Sequence, residues 1–383
     1  MANEAVILRP YKIEKHPNAD RLDLLTLRGE GGFTCVVGRN QFSMSDFVLY
    51  IEPDSVIPDN IKEYLEETSK IKISSRIRAI KLRGIISEGL CLKPEDFLKP
   101  IDIVEDKDVS SLIGVTHYEP PPPKGQGWKS VKGTNPWYKN KAFRIYNHID
   151  RFEKVCRCFE EGMNVHISTK LHGMNWRAGI CPKEPKNWWQ KLLQKLCILP
   201  KNEFLVGSHK TVRNVGKKGK PLPPEMENQD NFILAARKYD IETKLRELYH
   251  KLNDKNIVLY GELIGWGVNV PLQKGYWYGI PKGDVELRIF DIMVDGKYLD
   301  MDIVLGLCRE YNLPHVDTLY EGPFNLDLLS LAQAVDKIGN WKGNREGIVI
   351  KAQPAKHDPR MGYVVAKKIN PKYLLDKSNT EHH

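Results

Sequence analysis

The sequence predicts an α+β fold in two parts: a small β-barrel, then a larger domain in which strands and helices mix. Three observations carry that reading. Residues 120–123 are four consecutive prolines, followed by Gly125 and Gly127; such a run cannot donate backbone hydrogen bonds and favours a stiff, extended linker. Before it, short apolar runs alternate with turn signals, and after it strand-like and helix-like patterns are interspersed. A length of 383 residues suits two or three domains. The expected division is a barrel module over 1–115, a Pro/Gly linker over 116–135 and a larger domain over 136–383.

In chain order, 22–27, 33–37, 47–51 and 76–82 read as strands, with Gly31 and Gly32 forming a hairpin turn between the first two. Short strands at this spacing suit a barrel. Beyond the linker, 145–160, 231–252, 301–311 and 326–338 carry helical patterns. Apolar runs at 165–170, 258–263, 287–292, 345–351 and 364–368 read as strands that carry charged residues.

Composition narrows the class. A hydrophobic content of 41% and a charged content of 28% are near globular averages and exclude global disorder. No apolar run approaches the ~20 residues of a membrane-spanning helix, and the start lacks a basic segment leading into an apolar one. Seven cysteines without a C-x-x-C pair fit a reducing compartment and no structural zinc. The expectation is an intracellular, cytoplasmic monomer with no membrane partner. The net charge of +9 is uneven: residues 1–115 sum to −3 and 116–383 to +12. Residues 182–220 hold ten basic and two acidic side chains, including Lys217, Lys218 and Lys220, along with Trp188 and Trp189. Cations interleaved with aromatics suit phosphate neutralisation and base stacking. The alternative is a surface helix whose Trp189, Leu192, Leu193 and Leu196 pack inward.

The most telling motif ends the 165–170 strand, where Lys170 is followed by His172, Gly173 and Asn175. A lysine held rigidly at a strand end and partly desolvated can become a nucleophile, if its pKa falls by roughly 2–3 units from about 10.4. Gly173 would allow a tight turn behind it. Alone, this pattern is more commonly explained by a surface lysine before a turn. Four further strands remove most of that doubt: they carry Glu262, then Phe290 and Asp291, then Glu346 and Lys351, then Lys367 and Lys368. Five such strands in this order make a chance collection improbable.

Together these residues resemble the ordered motifs of the covalent nucleotidyltransferases, and most closely the ATP-dependent RNA ligases with K-x-H-G-x-N around the nucleophile. The amino-terminal stretches 16–22 and 81–90 resemble the OB module of the Deinococcus-type RNA ligases. The resemblance implies an OB-like β-barrel, followed by an adenylyltransferase (ATP-grasp-like ligase) domain of antiparallel sheets flanked by helices. It implies Lys170 as the nucleophile that takes AMP from ATP, with Glu346 binding or orienting Mg2+ (or Mn2+). Glu262 would bind the ribose, Phe290 would stack on adenine, and His172, Asn175 and Lys351 would complete the nucleotide site. Lys367 and Lys368 would contact phosphate. Ser208, His209, Lys210 and Arg213 occupy the second basic motif, where relatives carry an arginine. Only nine residues follow Leu374, which leaves no room for the carboxy-terminal OB domain of capping enzymes. The partner implied is RNA or an RNA-containing nicked duplex, gripped by Lys217, Lys218 and Lys220 and by Arg76, Arg78, Lys81 and Arg83 on the barrel. The competing reading is an RNA- or tRNA-binding OB protein whose second domain is an inactive relic.

Overall fold

The computed structural model describes residues 4–69, 72–118, 138–185, 187–216, 222, 224–266, 272–273, 275–338, 340–359 and 361–375. The proline run, most of the expected linker, and Lys217, Lys218 and Lys220 lie outside the described residues. In the amino-terminal module, Ala5–Leu8, Val48–Ile51 and Leu90–Leu92 form one antiparallel sheet, and Pro10–Lys15, Leu22–Leu27 and Thr34–Gly38 form another. Strict alternation drives them: Leu25, Leu27, Cys35 and Val37 face inward with Val6, Leu8 and Tyr50, as a period-two strand requires. A third pair, Ile80–Leu82 with Ile85–Ser87, presents a hairpin whose tip is Arg83–Gly84. His16 and Asn18 reach the backbone carbonyls of Leu82 and Arg83, so the two stretches that suggested an OB module pack on each other.

The larger domain is built on two five-stranded sheets. The first runs Asp150–Arg151, Val365–Ile369, Gly347–Ala352, Asn164–Lys170, Thr318–Pro323, with only the Asp150–Arg151 pairing parallel. The second runs Asn202–Ser208, Met174–Pro182, Ile257–Gly265, Val285–Val294, Lys297–Tyr298, all antiparallel. The chain passes from one sheet to the other directly after Lys170, through residues 171–173. Helices Asn231–Lys238, Ile241–Lys251 and Met301–Glu310 cover the second sheet with one apolar face each. Among the described residues, no helix is long and apolar enough to cross a membrane.

Four expectations need correcting. The 145–160 segment is no continuous helix: Asp150–Arg151 joins the first sheet, and helix is confined to Phe152–Val155 plus a 3-10 turn at Cys156–Cys158. Sheet hydrogen bonds there outweigh the helical periodicity. Residues 326–338 split into a 3-10 run, Leu326–Gln333, and a strand, Val335–Ile338, paired with Trp341–Asn344. The 231–252 pattern is broken at Asp240, whose left-handed backbone (φ 49°) ends the first helix. Finally, helix Trp188–Lys195 does not pack its apolar side inward. Gln194 donates to Lys183 O (2.9 Å) and Pro200 O (3.2 Å), turning the polar side toward the protein. Trp188, Trp189 and Leu196 are 64, 57 and 59% exposed.

The barrel module docks on the segment that leads into the first sheet. Its turn at residues 28–32 lies against Phe152 and Leu326, so close that a Cβ on Gly31 (φ +74°) would come within 3.0 Å of both side chains. Arg28 O accepts from Arg157 Nε (2.9 Å), and Lys154 pairs with Glu52 (3.1 Å). A buried ionic chain runs from Glu88 to Arg151, from Arg151 to Glu153 (3.4 Å), and from Glu153 to Lys368 (2.5 Å).

Candidate active site

The register of the first sheet places the charged strand ends. Lys170 lies opposite Gly347, which brings the preceding residue, Glu346, alongside the lysine side chain. Lys170 Nζ donates to Glu346 Oε1, and the Glu346 carboxylate is wholly buried while Lys170 keeps 23% of its side chain exposed. Burying a carboxylate is costly unless a cation or donors compensate; here Lys170 does so.

The turn after Lys170 is clamped from three directions. Tyr278 OH accepts from His172 N (2.7 Å), Gln273 Nε2 donates to Gly173 O (2.9 Å), and Tyr373 OH bonds His172 Nδ1 (3.0 Å). The His172 ring also meets Tyr276 edge-on at 4.7 Å and lies 4.0 Å from Glu346 Oε2. Gly173 is needed for close approach and not for a left-handed backbone: a Cβ there would sit 2.4 Å from Leu263 O.

Lys170 opens onto a cavity of about 240 Å³ between the two sheets, whose walls include Asn175, Glu262, Phe290, Lys351 and Lys367. Asn175 and Glu262 are register partners on adjacent strands of the second sheet. Asn175 Oδ1 is buried with no hydrogen-bond partner among the described residues, an acceptor in the cavity wall that a ligand donor would satisfy. Phe290 stands edge-to-face with Tyr146 at 5.0 Å. Burial, then the charge of Lys170, push the Lys367 ammonium down to about 8.

One of the expected phosphate contacts faces away from the cavity, and one lysine in the cavity wall is already paired. Neighbouring strand residues point to opposite faces, so Lys367 lines the cavity while Lys368 turns away to Glu153. Lys351 is fully buried and donates to Phe290 O (2.6 Å) and Asp291 Oδ2 (2.7 Å); Tyr146 OH donates to the same carboxylate oxygen (2.8 Å). Lys351 therefore fixes the strand that carries Phe290, its own charge already neutralised. On the barrel, Arg76 is bound to Asp54 (2.9 Å) and lies over Tyr118 at 3.8 Å, which leaves Arg78, Lys81 and Arg83 as the exposed cations of that patch.

A second cleft of about 510 Å³ adjoins the first and shares Asn175 and His209 with it; Ser208, Lys210 and Arg213 line its wall. Arg213 is largely buried, 3.7 Å from Asp230 and over Phe232 at 5.0 Å, whereas Lys210 is exposed. Burial, then the charges of Arg177 and Lys210, lower the His209 pKa. Sequence reasoning missed the other cavity wall, Tyr146, Asn147, His148 and Ile149, because that segment was read as helix. It also missed Tyr278 and Tyr373, which have no motif around them.

An RNA ligase family model matches residues 163–369, and an OB-fold domain model matches residues 5–94. No curated protein matches the sequence. Among solved structures, the chain is similar to Naegleria gruberi RNA ligase with PPi, at 21% identity over 98% of each chain and a TM-score of 0.68. A mutant of the same ligase with AMP and Mn is similar at 21% identity over 97% of this chain and 98% of that one, with a TM-score of 0.70. An apo mutant matches at 21% identity over 98% of each chain, also at 0.70. At this identity the likeness is one of fold: an OB module ahead of a sheet-rich ligase domain.

Proposed function

Because the chain belongs to the RNA ligase family, we propose that it is an ATP-dependent ligase that joins 3′-OH and 5′-phosphate ends at nicks in RNA or RNA-containing duplexes, in RNA repair. The observation that carries this reading is the contact between Lys170 and the buried Glu346, on a cavity that also presents Glu262, Phe290 and Lys367. A relic domain has no reason to keep that set together.

In the first step Lys170 Nζ attacks the α-phosphorus of ATP. The P–N bond forms as the bond to the bridging oxygen breaks, and pyrophosphate leaves with the electron pair. The amine must first lose its proton, and the Glu346 carboxylate in contact with it is the acceptor at hand. Lys367, charged below about pH 8, stabilises the charge that builds on the phosphate oxygens. Glu262 binds the ribose and Phe290 meets the base. AMP then passes to the 5′-phosphate of the nick, and the 3′-OH attacks that phosphorus and releases AMP.

Mg2+ (or Mn2+) fits this site in one particular way. The described residues hold no cluster of three His, Cys, Asp or Glu suited to a metal, so no all-protein cage is present. Magnesium, however, usually takes one or two carboxylates and completes its shell with phosphate oxygens and water, and Glu346 supplies such a carboxylate beside the reacting amine. The ion would offset repulsion between the triphosphate and its attacker. In the adjoining cleft, Lys210 and His209 would receive the polynucleotide end, and Arg78, Lys81 and Arg83 would hold the flanking duplex by its phosphates.

The test is incubation with α-phosphate-labelled ATP and magnesium. Wild type should acquire covalent AMP and Lys170→Ala none; equal labelling of the two sinks the proposal. Replacing Arg78, Lys81 and Arg83 together by alanine should weaken nick binding and flatten its salt dependence. An unchanged salt slope would remove the barrel patch from the interface.

A further inference from the structure

The hairpin joining strands Met174–Pro182 and Asn202–Ser208 is interrupted by residues 183–201, which carry five lysines and a single glutamate. Within it, helix Trp188–Lys195 is capped by Asn187, whose side chain accepts from Gln190 N. At 3.6 residues per turn, Trp188, Leu192, Leu196 and Trp189 fall within one arc of about 100°, with Lys191 and Lys195 at its edge and Gln190 and Gln194 opposite. The arc faces outward: Trp188 is 64% exposed, Leu196 59% and Ile198 just beyond it 65%. The two indoles stack on each other, with centroids 3.8 Å apart. Scattered surface apolar residues need no explanation, but a contiguous patch rimmed by charge marks an interaction site.

The chemistry of the patch selects its occupant. RNA offers phosphates to the lysines and bases to the indoles, but no apolar surface for Leu192, Leu196 and Ile198. A second copy of this chain would bring two lysine-rich segments together against their own repulsion. An anionic lipid surface supplies both a negative headgroup layer and an apolar layer beneath it. Tryptophan, leucine and lysine in this arrangement are the residues of an in-plane interfacial helix. We propose that the 183–201 insertion docks on the surface of an anionic bilayer, with Trp188, Trp189, Leu192 and Leu196 at the headgroup boundary and Lys191 and Lys195 on lipid phosphates.

At eight residues the helix is about 12 Å long and cannot span a bilayer. It sits at the far ends of two strands whose other ends carry Asn175 and Ser208, beside the ligase clefts. Strands of seven and nine residues hold it roughly 23–30 Å from those clefts, so docking leaves them open to a polynucleotide.

Sedimentation of the full chain with lipid vesicles tests the proposal. With phosphatidylcholine containing about 30% phosphatidylserine, near physiological salt, wild type should sediment at least ~10-fold more than with phosphatidylcholine alone. Indole fluorescence should shift to the blue on binding. Trp188→Ala/Trp189→Ala and Lys191→Glu/Lys195→Glu should each reduce binding by ~10-fold or more, with lysyl–AMP formation retained as the check of folding. The idea is overturned if wild type ignores anionic vesicles, or if the tryptophan variant binds them as wild type does. It is also overturned if that variant instead dissolves a dimer seen by light scattering, or loses affinity for nicked RNA while vesicle binding persists.

Discussion

Lys367 shows what a cation in the cavity wall costs the fold. Burial and the neighbouring Lys170 lower its pKa to about 8, against an ordinary value near 10.5, so the unfolded chain binds its proton more tightly than the native one. The penalty is fully present below pH 8 and fades as pH rises from 8 toward 10.5; at about 1.4 kcal/mol per unit it is on the order of 3.5 kcal/mol. Lys367→Met should therefore raise stability at pH 7 by about 1–3 kcal/mol while abolishing adenylylation, and the gain should shrink at pH 10. Urea unfolding at both pH values checks it, and a destabilised variant at pH 7 contradicts it. At this scale much of the site was legible, because Lys170, Glu262, Phe290 and Glu346 each announce themselves as a polar or aromatic residue in an apolar strand. What stayed hidden was phase. A pair of adjacent lysines does not say which one faces the cavity, and only the pairing of Lys367 with Val349 and of Lys368 with Ile348 decides. The pairing of Lys351 was hidden for a related reason: its partner, Asp291, lies sixty residues away in sequence.

The element on which the chemistry depends is the turn at 171–173, packed directly on strand Ile257–Gly265. Gly173→Ala would drive a methyl group into Leu263 O, a backbone atom of that strand 2.4 Å away, so the turn itself must move. A displacement of about 1 Å at a reacting group costs on the order of 100-fold, while overpacking of this kind costs about 1–3 kcal/mol of stability. The variant should thus stay folded yet form lysyl–AMP roughly 10–100-fold more slowly; a wild-type rate in rapid-quench labelling would show that the turn has slack. The strands at Asn164–Lys170, Ile257–Gly265, Val285–Val294, Gly347–Ala352 and Val365–Ile369 were readable because each carries a short apolar run, and so was the helix at 301–310. The helical readings of 145–160 and 326–338 failed because their periodicity matches a helix, yet Asp150–Arg151 pairs with Ala366 and Lys367, far away in the sequence, and Val335–Ile338 closes a hairpin with Trp341–Asn344. Periodicity cannot register such partners.

Across the whole molecule, the barrel and the ligase domain share the ionic chain that ends on the strand carrying Lys367. Burial alone would raise the Glu153 carboxyl, but Arg151 and Lys368 outweigh it and hold it at about 2. Its contribution is therefore complete above pH 4.5 and is lost as pH falls from 4.5 toward 2. Glu153→Gln, which strips Lys368 of its carboxylate and leaves Arg151 with Glu88 alone, should cost about 3–5 kcal/mol at pH 7, and the gap to wild type should close in that acid window. A gap that stays constant from pH 7 to 3 would show that the carboxylate is not what holds the junction. The sequence announced both domains but nothing of this contact, since none of its four charges stands out from a solvated surface. One last consequence follows from the way the chain leaves the first sheet at Lys170 and enters the second at Met174. Lys170 stands at the point where the chain crosses between the two sheets. The aim of the Lys170 amine is thereby tied to how the two sheets are set against each other, a setting that Lys351 also holds from across the gap through Phe290 O and Asp291.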